Sequence, residues 1–212
     1  RKARRLLRLL ALERGGLASH DRLADGLWGD LPPADPAGNL SVLVTRARSA
    51  LGDPSSIVSA AGGYRLVAEY VIDVDEAGEA VDRARALLPT DPAAALTGFR
   101  TALACWSGDL LAEDADEPWA QVHRTTWLRR RQEALEDAAA AAVDTHEPTL
   151  ALEWAEAAMA ADPFRERGHL TAARALAATG ATAAALELLS QFTRRLADEL
   201  GLDPSPAVDA LR

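Results

Sequence analysis

The chain has 212 residues, 49% hydrophobic and 26% charged, with a formal net charge of −9, a balance that excludes a disordered tail and supports more than one core. No apolar run approaches the roughly 18 residues of a membrane helix, and the basic start, Arg1 to Arg8, runs into a helical pattern with no signal-peptide cleavage site. The single cysteine, Cys105, forbids an internal disulfide and fits a reducing cytoplasm. It sits in an apolar Leu-Ala-Cys-Trp stretch and reads as a buried small hydrophobe rather than a nucleophile. Charge is unevenly spread. Residues 1–70 hold ten Lys+Arg against seven Asp+Glu, a net of +3, while residues 71–212 carry a net of −12. Such asymmetry suits a nucleic-acid-facing module joined to an acidic one.

In chain order, Leu6, Leu7, Leu9, Leu10 and Leu12 predict a helix over Lys2 to Arg14, ended by Gly15-Gly16. Ser19 reads as the N-cap of a second helix carrying Leu23, Leu27 and Trp28, closed by Gly29. Leu31 to Pro36, with three prolines, is a stiff loop. A third helix follows from Ala37 to Leu51. Its Leu40, Val44, Ala47 and Leu51 are placed on the inner face, and Ser41, Thr45, Arg46, Arg48 and Ser49 on the outer and flanking ones. Two β-prone runs, Ile57 to Ala60 and Tyr64 to Val67, flank Gly62-Gly63 as a hairpin. Three helices with a hairpin behind the last is the order of a winged helix-turn-helix. On pattern alone two readings stand: a groove-reading helix, or a generic helical domain whose Arg46 and Arg48 are solvated charges.

The stretches Ala24-x-x-Leu27-Trp28-Gly29, Asn39 to Gly52 and Gly63-Tyr64-Arg65-Leu66 resemble the OmpR-type winged helix. More closely, they resemble its version in the Streptomyces antibiotic regulatory protein family. The resemblance implies that the third helix is the recognition helix, with Ser41, Thr45, Arg46 and Arg48 facing DNA and Arg65 on the wing near a minor groove or phosphate. It further implies that Leu31 and Asp35, in the loop before that helix, are candidate polymerase contacts, the alternative being that the loop is a mere connector. Two positions depart from the pattern. Ala47 stands where leucine is usual, and Leu43 where a polar residue is common, which removes one groove contact. The small N-terminal sheet of the family has no counterpart before Arg1.

From Asp75 onward the pattern is helical, with helices expected near 75–88, 92–106, 117–144, 147–161, 163–178 and 182–200, and another from Pro206. Asp-Pro pairs at Asp91, Asp162 and Asp203 serve as helix starts. Alanine-rich faces and a tight turn at Gly180 suggest TPR-like helical hairpins, a surface for partners rather than a catalytic pocket. Val74-Asp75, Ala102-Leu103-x-x-Trp106-x-Gly108, Asp116 to Ala120, Asp162 to Arg167 and Ala197 to Pro206 resemble landmarks of the bacterial transcriptional activator domain. That domain follows the winged helix in the same regulators, some of which continue into an ATPase.

Chemistry is sparse. Lys2 is the only lysine, which excludes a P-loop, and no nucleophile elbow occurs. His20, His123, His146 and His169 lack zinc-type spacing and read as surface or packing residues. The acidic group Asp114, Asp116 and Glu117 reads as capping and helix-dipole compensation. Trp28, Trp106, Trp119, Trp127 and Trp154 are core anchors. The expected protein is mostly α: a winged helix-turn-helix at 1–70, its N-terminal sheet missing, then an all-α TPR-like domain at 71–212. It is a cytoplasmic regulator with no enzyme activity, cofactor, metal site or membrane association. The resemblance implies double-stranded promoter DNA and RNA polymerase holoenzyme as partners, and a homodimer on direct repeats. The alternative is a TPR-like interaction module whose winged helix is vestigial.

Overall fold

Leucine spacing starts the fold. In the computed structural model, which describes residues 1–106 and 108–211, helix α1 (Lys2–Leu12) buries Leu6, Leu9 and Leu10 along one face. Gly15, at φ +79°, turns the chain into strand β1 (Ala18–Ser19). Ser19 Oγ accepts the Arg22 amide at 3.1 Å and starts α2 (His20–Trp28), a cap worth about 1 kcal/mol. Asp35 caps α3 (Pro36–Leu51) in the same way, its Oδ1 accepting from Gly38 N at 2.9 Å. Gly38 leaves room for this cap as it stands, since a Cβ there would lie 2.1 Å from Asp35 Oδ2 and the carboxylate would have to shift.

The hairpin β2 (Ile57–Ala60) and β3 (Gly63–Leu66) pairs antiparallel, with Ile57 opposite Leu66. Strand β1 lies on the other edge of β3, Ala18 opposite Tyr64, in the order β1-β3-β2. This third strand was not foreseen, since two residues carry no alternation to read. The wing strand also begins one residue early and ends one early. Gly63 enters the ladder because a Cβ there would lie 2.0 Å from the Ala18 carbonyl oxygen. Val67 leaves it and donates to Ser56 O at 2.8 Å instead.

By chain contacts the molecule divides into two compact units, Arg1–Ile72 with Leu111–His123, and Asp73–Leu110 with Arg124–Arg212. A short 3-10 turn (Ala112–Asp114) and the first turn of α6 (Pro118–Asp144) therefore belong with the first unit. Ionic contacts explain the grouping. Arg5 Nε donates to Asp114 Oδ1 at 2.7 Å and Arg8 Nη1 to Asp114 Oδ2 at 2.6 Å, on a carboxylate that is 3% exposed. Arg5 also reaches Glu117 at 2.7 Å, and Arg8 and Arg4 reach Glu113 at 2.6 and 3.3 Å. The capping reading of Asp114 and Glu117 is thus corrected: both serve chiefly as acceptors for the arginines of α1. Trp119 packs against the same apolar cluster as Leu6, Leu10 and Leu23.

The second unit is helical throughout, with α4 (Asp73–Leu87) on α5 (Pro92–Cys105), α7 (Pro148–Ala161) on α8 (Glu166–Ala178), and α8 on α9 (Thr182–Arg195). Alanines 138, 139, 141, 142, 151, 155 and 158 are buried, so small side chains form much of its core. Gly180, at φ +83°, makes the expected tight turn. Of the Asp-Pro pairs, Asp91 alone caps a helix, accepting from Ala94 N at 3.0 Å. Asp162 instead accepts from Phe164 N, and α8 starts only at Glu166, because Arg165 stays extended with its guanidinium on Glu136. After Arg195 the helix widens into a π turn (Leu196–Leu200), and α10 (Pro206–Asp209) follows. Cys105 is exposed, against expectation. Ala95, Phe99, Ala102 and Trp106 form the buried stripe, and Cys105 lies beside it.

Glu136 is fully buried and accepts both Arg165 Nε at 2.7 Å and Arg165 Nη2 at 2.8 Å. Arg167 and Arg85 both engage Asp137, and Ser205 N donates to Glu166 at 2.7 Å. The Asp162 to Arg167 landmark is therefore a set of ties to neighbouring helices. His169 is buried, stacked on Phe192 at 4.1 Å, with burial holding its pKa below the usual imidazole range.

Losing Asp114 removes the buried partner shared by Arg5 and Arg8 and leaves them only the more exposed Glu117 and Glu113. Asp114→Ala is expected to destabilise the first unit by about 3 kcal/mol, the lower end for breaking a buried pair. Arg4→Ala, at the exposed edge, should leave the midpoint unchanged. Denaturant unfolding followed by near-UV circular dichroism checks both.

Candidate nucleic-acid interface

A helix that reads a groove needs a packed inner face and a free outer one. In α3 the inner stripe is Leu40, Leu43, Val44 and Ala47, all 8% exposed or less. Its phase corrects two expectations. Leu51 is exposed at 44%, and Leu43 packs in the core rather than standing at a groove position. The complementary face is Val42, Thr45, Arg46 and Ser49, at i, i+3, i+4 and i+7, all exposed. Val42, half-exposed, escaped the sequence reading. The signal was present: once Leu43 is counted as core, the opposite face begins at 42.

Ser41 is exposed, and its carbonyl accepts the Thr45 hydroxyl at 3.0 Å. That back-bond commits the Thr45 proton to the helix and leaves its oxygen as an acceptor. Arg46 is exposed, and its side chain makes no hydrogen bond or ion pair among the described residues. Arg65 stands exposed on β3, paired across the hairpin with Val58, and is likewise unengaged among the described residues.

Arg48 is placed differently. Half-buried, it donates from Nε to the Ile57 carbonyl at 2.8 Å and from Nη2 to the same oxygen. It ties the last turn of α3 to the first residue of the hairpin. Of the loop residues, Leu31 is 85% exposed, whereas Asp35 is consumed as the N-cap of α3, its carbonyl also accepting Asn39 Nδ2 at 2.8 Å.

Electrostatics also shift once the fold is known. Residues 111–123 add four carboxylates and no lysine or arginine to the first unit, which then carries a net −1 rather than +3. Arg4, Arg5 and Arg8 are neutralised locally. Of the arginines expected to meet DNA, Arg46 and Arg65 keep their charge without an ion pair among the described residues, as do Arg1 and Lys2 at the start of the chain. Among the described residues no cluster of His, Cys, Asp or Glu could hold a metal ion, and no helix is long and apolar enough to cross a membrane.

Three helices carrying a small sheet, with an unengaged arginine on the outer face of the third, define a winged helix-turn-helix, here joined to a helical second unit. The chain belongs to the bacterial transcriptional activator domain family, whose model matches residues 72–212. It is 34% identical over 212 residues to the regulatory protein AfsR of Streptomyces coelicolor, covering 99% of this chain and 21% of that protein. It is 30% identical over 211 residues to the transcriptional regulator RedD of the same organism, covering 96% and 60%. The structure of Mycobacterium tuberculosis EmbR in complex with a low affinity phosphopeptide superposes with a TM-score of 0.84 at 26% identity, covering 99% of this chain and 57% of that one. The chain thus spans about a fifth of AfsR and under two thirds of RedD. These matches bear out the resemblance to the Streptomyces antibiotic regulatory proteins, a family of regulators rather than enzymes.

The Arg48 tie has a measurable consequence. A charge-assisted bond to a backbone carbonyl contributes about 1.5–3 kcal/mol, so Arg48→Ala should raise amide hydrogen exchange in Ile57 to Leu66 before the rest of the first unit is affected. Unchanged exchange there would remove its structural role.

Proposed function

We propose that the chain is a transcriptional activator whose first unit binds promoter DNA through α3 and the hairpin. The supporting observation is the outer face of α3, where Arg46 is exposed and unengaged beside Ser41, Val42 and Thr45 while the inner face is packed. Sixteen residues give a helix about 24 Å long, and a helix of that kind fits the roughly 12 Å width of the major groove. Arg46 is the base-reading residue, its guanidinium matched to the acceptor edge of guanine. Thr45 accepts from an exocyclic amine and Val42 packs on a thymine methyl. Arg65 contacts a phosphate or the minor groove from the wing. Arg48 acts by positioning the hairpin against α3.

Two protomers side by side on direct repeats, and recruitment of RNA polymerase holoenzyme, complete the proposal. The contact offered to polymerase is Leu31, a large apolar side chain held out on a proline-stiffened loop. Asp35 is assigned to capping. The vestigial-winged-helix alternative loses one support, since Leu43 lies in the core and does not blunt the groove face.

Arg46→Ala should lower affinity for the preferred site by about 1–3 kcal/mol and relax preference at one base position. Arg65→Ala should weaken all sequences alike and reduce the magnitude of the log–log salt slope by about 0.9. Footprinting and salt titration distinguish the two, and affinity without salt dependence in the intact chain would sink the DNA reading. Leu31→Ser should lower transcript output while leaving promoter occupancy intact. If occupancy falls in parallel, the loop has no separate role.

A further inference from the structure

The first unit contains a cavity that DNA binding does not use. It has a volume of about 630 Å³, within the range of small-molecule sites. Its apolar lining is Leu9 and Leu12 of α1 with Pro118 and Trp119 of α6. Gly26 of α2 forms part of the wall, and a Cβ there would lie 2.7 Å from Leu9 Cδ1, so that wall is already closed against a larger residue. The indole N–H of Trp119 is withdrawn from solvent and has no hydrogen-bond partner among the described residues.

The polar lining is lopsided. Arg22 is engaged by Glu13, and Glu117 by Arg5. Burial, with Arg14 and Arg22 nearby, holds His123 below the usual imidazole range, so at neutral pH it brings no positive charge. Asp25 and Asp30 remain, with no side-chain hydrogen bond or ion pair among the described residues. Both stand at the C-terminal end of α2, Asp25 in its last turn and Asp30 just beyond Gly29. Negative charge is unfavourable at a helix C-terminus, and a cation there is favourable. Among the described residues no cation pairs with either carboxylate, the nearby Arg22 being held by Glu13.

We propose that this cavity is an effector site for a small amphipathic amine, an aromatic or aliphatic body bearing one protonated nitrogen. The body lies against Leu9, Leu12 and Trp119. The ammonium group sits between Asp25 and Asp30, gaining two carboxylates and the negative end of the α2 dipole. Such a ligand joins α1, α2 and the first turn of α6, adding α2 to what the arginine clamp between α1 and residues 113–117 already holds.

The test needs no DNA, so its failure is separable from failure of the DNA-binding reading. The full chain is labelled with 5-fluorotryptophan and the Trp119 resonance assigned with Trp119→Phe. It is then titrated with phenethylamine, tryptamine and 4-phenylbutylamine, and with their N-acetyl derivatives. A saturable shift of the Trp119 resonance with at least one amine is expected, at least tenfold weaker for its neutral derivative. The double variant Asp25→Asn/Asp30→Asn, changed only at exposed side chains, should lose that amine binding at least tenfold with no fall in its unfolding midpoint. Three results would each overturn the proposal: no saturable shift with any amine, equal binding of amine and N-acetyl derivative, or unchanged amine binding in the double variant.

Discussion

The first unit depends on a buried carboxylate. Asp114 lies 106 and 109 residues along the chain from the two arginines it holds. Satisfying it requires Arg5 and Arg8 to turn toward it from one face of α1 while Leu6, Leu9 and Leu10 turn into the core. Removing two guanidinium groups and a carboxylate from water is expensive unless each finds its counterpart. The geometry supplies two charge-assisted bonds to Asp114 and further bonds to Glu113 and Glu117. The segment Leu111–His123 is thereby bound to the helix-turn-helix, although the whole of the α4–α5 pair intervenes in sequence.

Arginine is almost the only cation this chain has, and the fold divides it by task. Some are structural: Arg5 and Arg8 on Asp114, Arg48 on the Ile57 carbonyl, Arg165 on buried Glu136. Their planar forks can make two directed bonds at once, which a lysine ammonium cannot reproduce. Arg46 on the outer face of α3 and Arg65 on β3 are exposed and left unengaged among the described residues. Counting basic residues in the first 70 does not separate these groups, and it overstates the charge a polyanion meets.

The same division separates the loop before α3. Asp35 and Leu31 are four residues apart, yet one is spent on the helix it precedes and the other projects into solvent. A cap must be rigid to be useful, and its rigidity fixes the start of the helix whose outer face carries Arg46. Leu31, by contrast, contributes nothing to the core and remains free for a partner.

Local physics was legible in the sequence. Leucine periodicity located α1 to α3, Ser19 and the glycines at 29 and 180 bounded helices, and the hairpin followed from β-prone runs around Gly62-Gly63. These features depend on neighbours within a turn or two, so one-dimensional spacing captures them. The motif at Asp162 to Arg167 was visible, but its meaning was not. Only the folded chain puts Arg165 on Glu136 and starts α8 three residues late. Tertiary structure likewise decided the phase of α3, moving Leu43 inward and Val42 outward, because packing against α1 and the sheet selects among faces that differ by one residue. It turned Arg48 into a tie, Asp35 into a cap, and Asp114 from a helix-start residue into the centre of a clamp. For Arg48 and Asp114 the partner lies far enough along the chain that no local pattern encodes it. A charged side chain takes its role from the group it meets, and long-range meetings are made by the fold.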